Sequence, residues 1–424
     1  MKFKKDVLKN YNKADIYYSN NEKIYVVCDD KSYNMMHSIV EGTCIRDINE
    51  DFTRVKFIDG DYKQEFSANE YIELIRKSIN IPNTQCNDVI DYNLQNNFEK
   101  IDYKKIFEEL LDYAKNYNYI LKKIFIHNEN NYYELANTYN VYGYGYKKIC
   151  APGIEVFNTI KKSSEIFYMI SNFNNLENDL KRLISTEHKK ITLFNKNLVQ
   201  KNLEVIILNN SVVGRLLNYF LNLLIYDNLN LGISFFSFKN LNKHKFSKLL
   251  EIQENSKINN ISEGTVDGEG NVKHTVDIIK NGEILNIFND CSCSCNNKVT
   301  TGSVIRENYK SEPHVKPNKI ALKEGNQSIA NIINKYNDLI IINDIQGFEE
   351  SISLQTLNFN ALTSCSIYID REYIGTRSFQ LEGNLNEIVK NIIDLSNDME
   401  YSVDGSIICP CLVIENSNEI LKLI

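Results

Sequence analysis

Histidine is scarce in this chain: six in 424 residues, at His37, His127, His188, His244, His274 and His314. None lies four or five residues from another, so no H-E pair of a helical zinc peptidase is present. G-x-S-x-G, the P-loop and G-x-G-x-x-G are also missing, which removes the nucleophile elbow and the common phosphate cradles. "YGYGYKK" (142–148) is Gly-aromatic but lacks strand–turn–helix context, and reads as an ordinary turn. Long apolar runs are absent too. The longest, 209–227, falls short of the roughly 20 residues that span a bilayer, and Arg215, Asn218 and Asn222 interrupt it. The opening "MKFKKDVLKNYNK" has no apolar core, so no signal peptide is expected and a cytoplasmic location is. Tryptophan is absent altogether, which carries no functional weight.

What is present has the balance of a soluble globular protein, 43% apolar and 24% charged. A chain of this length predicts at least two domains. Net charge is -7 and the pI about 5.6, against a surface that grips nucleic acid through phosphates. The basic stretch "KNLNKHKFSK" (239–248) reads as a solvated face.

Ten cysteines do not form the framework of a small disulfide-stapled domain. Cys291, Cys293 and Cys295 alternate in "DCSCSCNN". Extended, they share one face roughly 6.5–7 Å apart, too far for a disulfide or for two ligands of one tetrahedral zinc. Cys409 and Cys411 in "IICPC" are the other candidates for a metal or redox site, and buried thiols are the simpler reading.

Period-2 patterns predict strands at "KIYVVCDD", "IVEGTCIRDI" and "TRVKFID". "NEYIELIRKSIN" (69–80) and "DYKKIFEELLDYAKNY" (102–117, Asp102 as N-cap) predict helices. "YILKKIFIHN", "YYELANTYNVYGYGYKK" and "IEVFNTIK" read as strands, and 175–185 as a helix. Beyond about residue 190 strands dominate: "NLEVIILNN", "LGISFFSF", "VKHTVDIIKNGEILNIFND", "DLIIINDIQGF", "SCSIYIDREYIGTRSFQLEG" and "SIICPCLVIEN". Asn281-Gly282 is a hairpin signal. One helix, 384–396, interrupts them. The expected class is α+β: an N-terminal α/β domain, 1–190, and a large β-rich domain, 191–424, barrel-like and mostly antiparallel with a few helices.

Residues 209–227 read as one buried apolar helix without His, Glu or Cys. "SEGTVDGEGNVKHT" (262–275) is the densest turn cluster. Asp267 and Glu269 do not fit an EF-hand pattern, and a structural connection is the better reading.

In order, "DGEGNVKHTVDIIKNGEILNIFND", "TTGSVIRE", "KPNKIALKEG" and "LEGNL" resemble the TldD/PmbA family, labelled modulators of DNA gyrase and classed as zinc metallopeptidases. The matching positions are Asp267, Gly268, Glu269, Gly270, Ile279, Asn281, Gly282, Leu285, Thr301, Gly302, Arg306, Asn318, Gly325, Gly383 and Asn384. "GTCIRDI" and "LANTYNVYGY" agree more loosely, and Leu357 stands where the family's T-G-x-F-S has glycine. The resemblance implies two related subunits. One, TldD-like, binds zinc through a helix with HExxxH and a C-terminal Cys; the other, PmbA/TldE-like, lacks the motif. By approximate placement, Asn218, Tyr219 and Leu223 occupy the His, Glu and His positions, and Cys409 or Cys411 that of the Cys. The expectation is a non-catalytic PmbA/TldE-like subunit with no catalytic residue and no cofactor of its own. Zinc is expected on a TldD-like partner, and unfolded or leader peptides as substrates. Self-association without a protease partner, as a peptide-binding or maturation protein, and a Cys-based metal or redox protein are the alternatives. Neither membrane nor direct nucleic-acid binding is expected.

Overall fold

The computed structural model describes residues 8–9, 12–48, 53–59, 72–74, 101–159, 162–169, 176–189, 203–254, 262–290, 301–402, 405–417 and 420–424. Two compact units emerge. One comprises Met1–His188, Asn259–Lys273 and Asp290–Val315; the other Lys189–Ile258, His274–Asn289 and Lys316–Ile424. A division into 1–190 and 191–424 stays an expectation about folding domains; by contact, two later segments also join the first unit.

The first unit is built on an eight-stranded antiparallel sheet. Its strands are β1 (Ala14–Asp29), β2 (Tyr33–Ile48), β3 (Thr53–Asp59), β4 (Ile72–Leu74), β5 (Tyr119–Asn137), β6 (Tyr142–Asn158), β7 (Ser163–Tyr168) and the short Ser262–Gly264. β1 lies centrally between β2 and β5. Ile24, Val26 and Cys28 on β1 and Ile124 and Ile126 on β5 are buried on one face. Helix α1 (Tyr103–Lys115) packs on these two strands, burying Tyr103, Phe107, Leu110 and Ala114 at helical spacing. Asp102 caps α1, its carboxylate accepting from the Lys105 N–H at 3.0 Å, as its sequence position predicts. A second helix, α2 (Leu176–Lys189), agrees with the pattern at 175–185.

Two expectations fail here. Of the helix expected over 69–80, the described residues Ile72–Leu74 form a strand antiparallel to Thr53–Val55; the remainder lies outside the described residues. The open edge of β3 supplies a pairing that local periodicity cannot see. "YGYGYKK" is no turn but part of β6. The reversal comes earlier, where the Asn137 side chain accepts from Tyr139 and Val141 N–H groups and Asn140 takes φ 62°. The glycines serve close packing: a Cβ on Gly143 would stand 2.4 Å from Val266, and one on Gly145 2.4 Å from the Tyr133 ring.

The second unit has a seven-stranded and a six-stranded sheet. In the larger, β8 (Val205–Leu208) lies between Leu412–Glu415 and Leu339–Gln346, antiparallel to the first and parallel to the second. The hairpin Asn358–Ile369/Glu372–Asn384 extends the sheet, turning at Asp370 and Arg371, both at positive φ. The smaller sheet runs through Val276–Lys280, Ile252–Glu254, Ile320–Leu322 and Ile407–Cys409. Asn281 (φ 50°) and Gly282 (φ 75°) close its Lys280–Glu283 hairpin, as the Asn-Gly pair predicts. Both sheets are open; among the described residues no strand order closes into a barrel. Antiparallel pairing dominates, so the α+β class stands.

Three element assignments change. The apolar run 209–227 is not one helix: α3 (Asn210–Asn222) ends, and α4 (Tyr226–Asn230) begins after a break. There the Asn222 side chain donates to the Asn218 carbonyl, and Asn228 to that of Asn222. "LGISFFSF" forms no strand. Ser234 donates to the Leu223 carbonyl and Phe236 packs edge-on against Phe220, so alternation here reflects aromatic anchoring. The helix over 384–396 stops at Lys390, and Ile392–Leu395 pairs with Leu412–Ile414.

Candidate functional site

The strand-to-helix crossover β8–α3 is the place to look for chemistry. Apolar Val205–Leu208 is fully buried, and Asn209 stops the strand and caps α3, accepting from the Val212 N–H at 3.0 Å. Asn210, the first helical residue, is the junction. Its side-chain amide donates to the carbonyls of Asp398 and Cys409, each at 2.7 Å. Its Oδ1 accepts from the Cys411 thiol at 3.1 Å, and its backbone carbonyl from the Cys409 thiol at 3.3 Å. Gly214, one turn on, lets the helix lie close: a Cβ there would be 3.1 Å from Ser402 Cβ and 3.9 Å from Cys409 Sγ.

Burial pushes the Cys411 thiol up to about 12 and that of Cys409 further. Both thiols act as S–H donors to Asn210. Asn218 lies eight residues past Asn210, roughly 12 Å along the helix axis. Tyr219 packs edge-on against Phe348 at 5.6 Å, and Leu223 is buried at the helix end. The structure thus brings Cys409 and Cys411 together with Asn210, on a different turn from the Asn218–Tyr219–Leu223 set. Zinc requires anionic or imidazole ligands; the amide, phenol and alkyl group of Asn218, Tyr219 and Leu223 do not fit it, and the two thiols stand on a different turn. Among the described residues no three His, Cys, Asp or Glu side chains gather to hold a metal. Cys291, Cys293 and Cys295 lie outside the described residues.

The turn-cluster positions occupy a second node, in the first unit. Asp267 is fully buried; its Oδ1 accepts from the Glu269 and Asn271 N–H groups, and its Oδ2 from the Asn271 side chain, all at 2.9 Å. Burial raises its pKa, opposed by those hydrogen bonds. The tight turn carries Gly270 at φ 93°. Gly268 donates to the Val304 carbonyl at 2.7 Å, and its own carbonyl accepts from Arg306 Nε at 2.8 Å. Arg306 continues to Asp15 of β1 at 3.2 Å and lies over the Tyr17 ring at 4.4 Å. Arg46 of β2 holds the same carboxylate through Nε, at 3.0 Å to each oxygen, and through Nη2. Burial alone would raise the Asp15 pKa; Arg46 and Arg306 together hold it below the usual range. Glu269, Thr301 and Arg306 are likewise buried, and Thr301 bonds Ser303 at 2.7 Å, with Gly302 between them at φ 76°. These positions fasten the described residues 262–273 and 301–315 to the sheet. Asn318 precedes Lys319, at φ 54°. Gly383 admits Leu421 and Phe359, and Asn384 caps Leu385–Lys390, accepting from the Glu387 N–H at 3.1 Å. Leu357 sits at φ 61°, where glycine, lacking a Cβ, is preferred, and is fully buried.

Sequence reasoning missed Asn210 and the Asp15–Arg46 pair. Both had a signal. Asn209-Asn210 punctuates an apolar strand and helix, and charged residues stand at core-facing places in two alternating strands.

An α+β chain with an open mixed sheet, a buried crossover helix and this turn-to-sheet node defines the class. Residues 202–418 match the model of the PmbA/TldA metallopeptidase C-terminal domain, about half of the chain, and the chain belongs to that family. Over nearly the whole length it has the fold of TldE from Thermococcus kodakarensis, at 14% identity, covering 97% of this chain and 98% of that one, TM-score 0.76. It is similar also to a candidate modulator of a DNA gyrase from Thermotoga maritima, at 11% identity, 95% of each chain, TM-score 0.75. A third likeness is to another such candidate from Bacteroides thetaiotaomicron, at 13% identity, 96% of this chain and 94% of that one, TM-score 0.71. None of the curated proteins compared matches the sequence. Among the described residues no helix is long and apolar enough to cross a membrane.

Proposed function

We propose that this chain is a non-catalytic subunit of a two-component metallopeptidase, PmbA/TldE-like in role. It docks a zinc-bearing, TldD-like subunit and helps form the chamber that admits unfolded or leader peptides. Hydrolysis and metal belong to the partner; this chain supplies walls and stability. The observation that carries the reading is the donor chemistry at the crossover. Peptide hydrolysis by zinc needs a held ion and a base on the attacking water. Here the helix presents Asn218, Tyr219 and Leu223, and the neighbouring thiols are engaged with Asn210. The apolar helix and the neutral junction replace a metal centre with packing.

The test is reconstitution. The purified chain, supplied with zinc, leaves an unfolded peptide intact. Added to a co-purifying HExxxH subunit from the same cells, it raises that subunit's cleavage rate. Zinc-dependent cleavage by this chain alone overturns the reading.

A further inference from the structure

Residues 228–250, which follow the crossover helix, contain no Asp or Glu, on a chain whose net charge is -7. They run from α4 through irregular backbone to a short turn at Leu241–Lys243. Their shape is nevertheless fixed. Phe236 is buried against Phe220, Phe246 and His244, with ring centres 5.7, 6.3 and 4.9 Å away. The Phe246 N–H donates to the Gly282 carbonyl at 2.9 Å, and Ser247 Oγ to that of Ile392 at 2.7 Å.

What this frame holds outward is apolar and cationic. Leu231 is 70% exposed, Ile233 51% and Phe238 42%. Gly232, between the first two, has open space where a Cβ would stand, so Leu231 and Ile233 flank a projecting tip. Tyr226 of α4 meets the Phe238 ring at 5.3 Å, which joins that tip to the lysine turn. The Ser237 carbonyl accepts from the Asn240 and Leu241 N–H groups, both at 3.0 Å, winding 237–243 into a turn that carries exposed Lys239 and Lys243. Lys248, also exposed, lies five residues on.

Other lysines around this loop are neutralised. Lys245 pairs with Glu283 at 2.6 Å, Lys280 with Asp277 at 2.9 Å, and Lys390, which faces His244, with Glu387 at 2.9 Å. Among the described residues Lys239, Lys243 and Lys248 make no ion pair. The bounding carboxylates are Asp227 on α4 and Glu251, the latter already paired with Lys323. Contiguous exposed apolar groups with unmatched charge mark a contact surface, and its sign calls for an anionic occupant. The stretch has no arginine for bidentate phosphate contacts, and aliphatic Leu231 and Ile233 have no counterpart on a nucleic-acid backbone. Its unpaired lysines are fewer than the roughly four to eight of an anionic-lipid patch. A peptide supplies both carboxylates and apolar side chains.

We infer that this surface takes an extended peptide carrying carboxylates among bulky apolar side chains, and that it thereby selects acidic, apolar segments among the unfolded or leader peptides of the proposed complex. The binding stands by itself; the selection rests on the proposed subunit role. Fluorescence anisotropy of the full chain tests it with three labelled peptides that share their Leu and Phe residues and carry Glu, Gln or Lys between them. The Glu peptide binds about 10-fold tighter than the Gln peptide, the Lys peptide more weakly than either, and added salt removes the difference. Lys239→Glu combined with Lys243→Glu reverses the order, a gain that a misfolded chain cannot give. Leu231→Ser combined with Ile233→Ser weakens all three peptides, with thermal melting verifying the fold. Equal binding of the Glu and Gln peptides, or a Glu preference that survives the lysine exchange, overturns the inference. So does tighter binding of a thymidine oligonucleotide or of phosphatidylserine vesicles than of the Glu peptide. Stimulation of the HExxxH subunit is measured separately: a Glu preference without it upholds the surface and fails the subunit role.

Discussion

The two buried nodes fasten distant segments by opposite means. In the first unit, Asp15, Arg46 and Arg306 hold the 267–270 turn with charge. In the second, Asn210 joins α3 to the Cys409–Cys411 segment with neutral hydrogen bonds alone. A buried charge is costly to orphan, because its remaining partner keeps the desolvation cost. An orphaned neutral group also keeps its desolvation cost, but a smaller one. The charged node should therefore be the more brittle, and the neutral one the more tolerant of ionic conditions.

The largest expected effect is at the charged node. Arg306→Met removes one of two counter-charges on Asp15 and leaves the Gly268 carbonyl without its donor. It should cost about 3–5 kcal/mol in denaturant unfolding. This cost depends on pH. Asp15 has a depressed pKa, so its contribution is present above the unfolded carboxylate pKa and is lost as pH falls through the lower folded value. The gap between wild type and Arg306→Met should narrow in that acid window, as paired melts will measure. Asp267 works the other way: its pKa is raised, so burying it ionised costs stability near neutrality, and that cost is relieved as pH falls through the raised value.

Asn210→Ala should come next, at about 2–3 kcal/mol, since two carbonyls lose a donor and the Cys411 thiol its acceptor. Raising salt should leave that figure unchanged. Leu357→Gly sharpens a smaller balance. It relieves a left-handed backbone strain of about 1–2 kcal/mol but loses the burial of a leucine, about 1.5–3 kcal/mol. A net loss of about 1 kcal/mol in the same assay is expected. The smallest effect is Asp102→Ala, which removes the α1 cap at about 1 kcal/mol.

What the sequence disclosed followed the range of its interactions. Asp102 and the Asn281-Gly282 turn are decided within a few residues, and both were legible. "YGYGYKK" was not, because its glycines answer to Val266 and Tyr133, far along the chain. The break between α3 and α4 was hidden for the same reason: Tyr226 N–H donates to the Phe288 carbonyl. The emptiness of the crossover helix could be read directly, since absent donors need no fold. That Cys409 and Cys411 meet Asn210, two turns from Asn218, required the sheet pairing of β8 with Leu412–Glu415.

The proposed subunit role requires that the β8–α3 crossover, with Asn218, Tyr219 and Leu223 on its helix, hold no catalytic metal. Metal analysis of the chain purified without chelator tests it most directly, alongside a peptide-cleavage assay of the same sample. The account predicts zinc well below stoichiometry, unchanged by Cys409→Ser, and no cleavage. One zinc per chain, lost together with cleavage on Cys409→Ser, would contradict it.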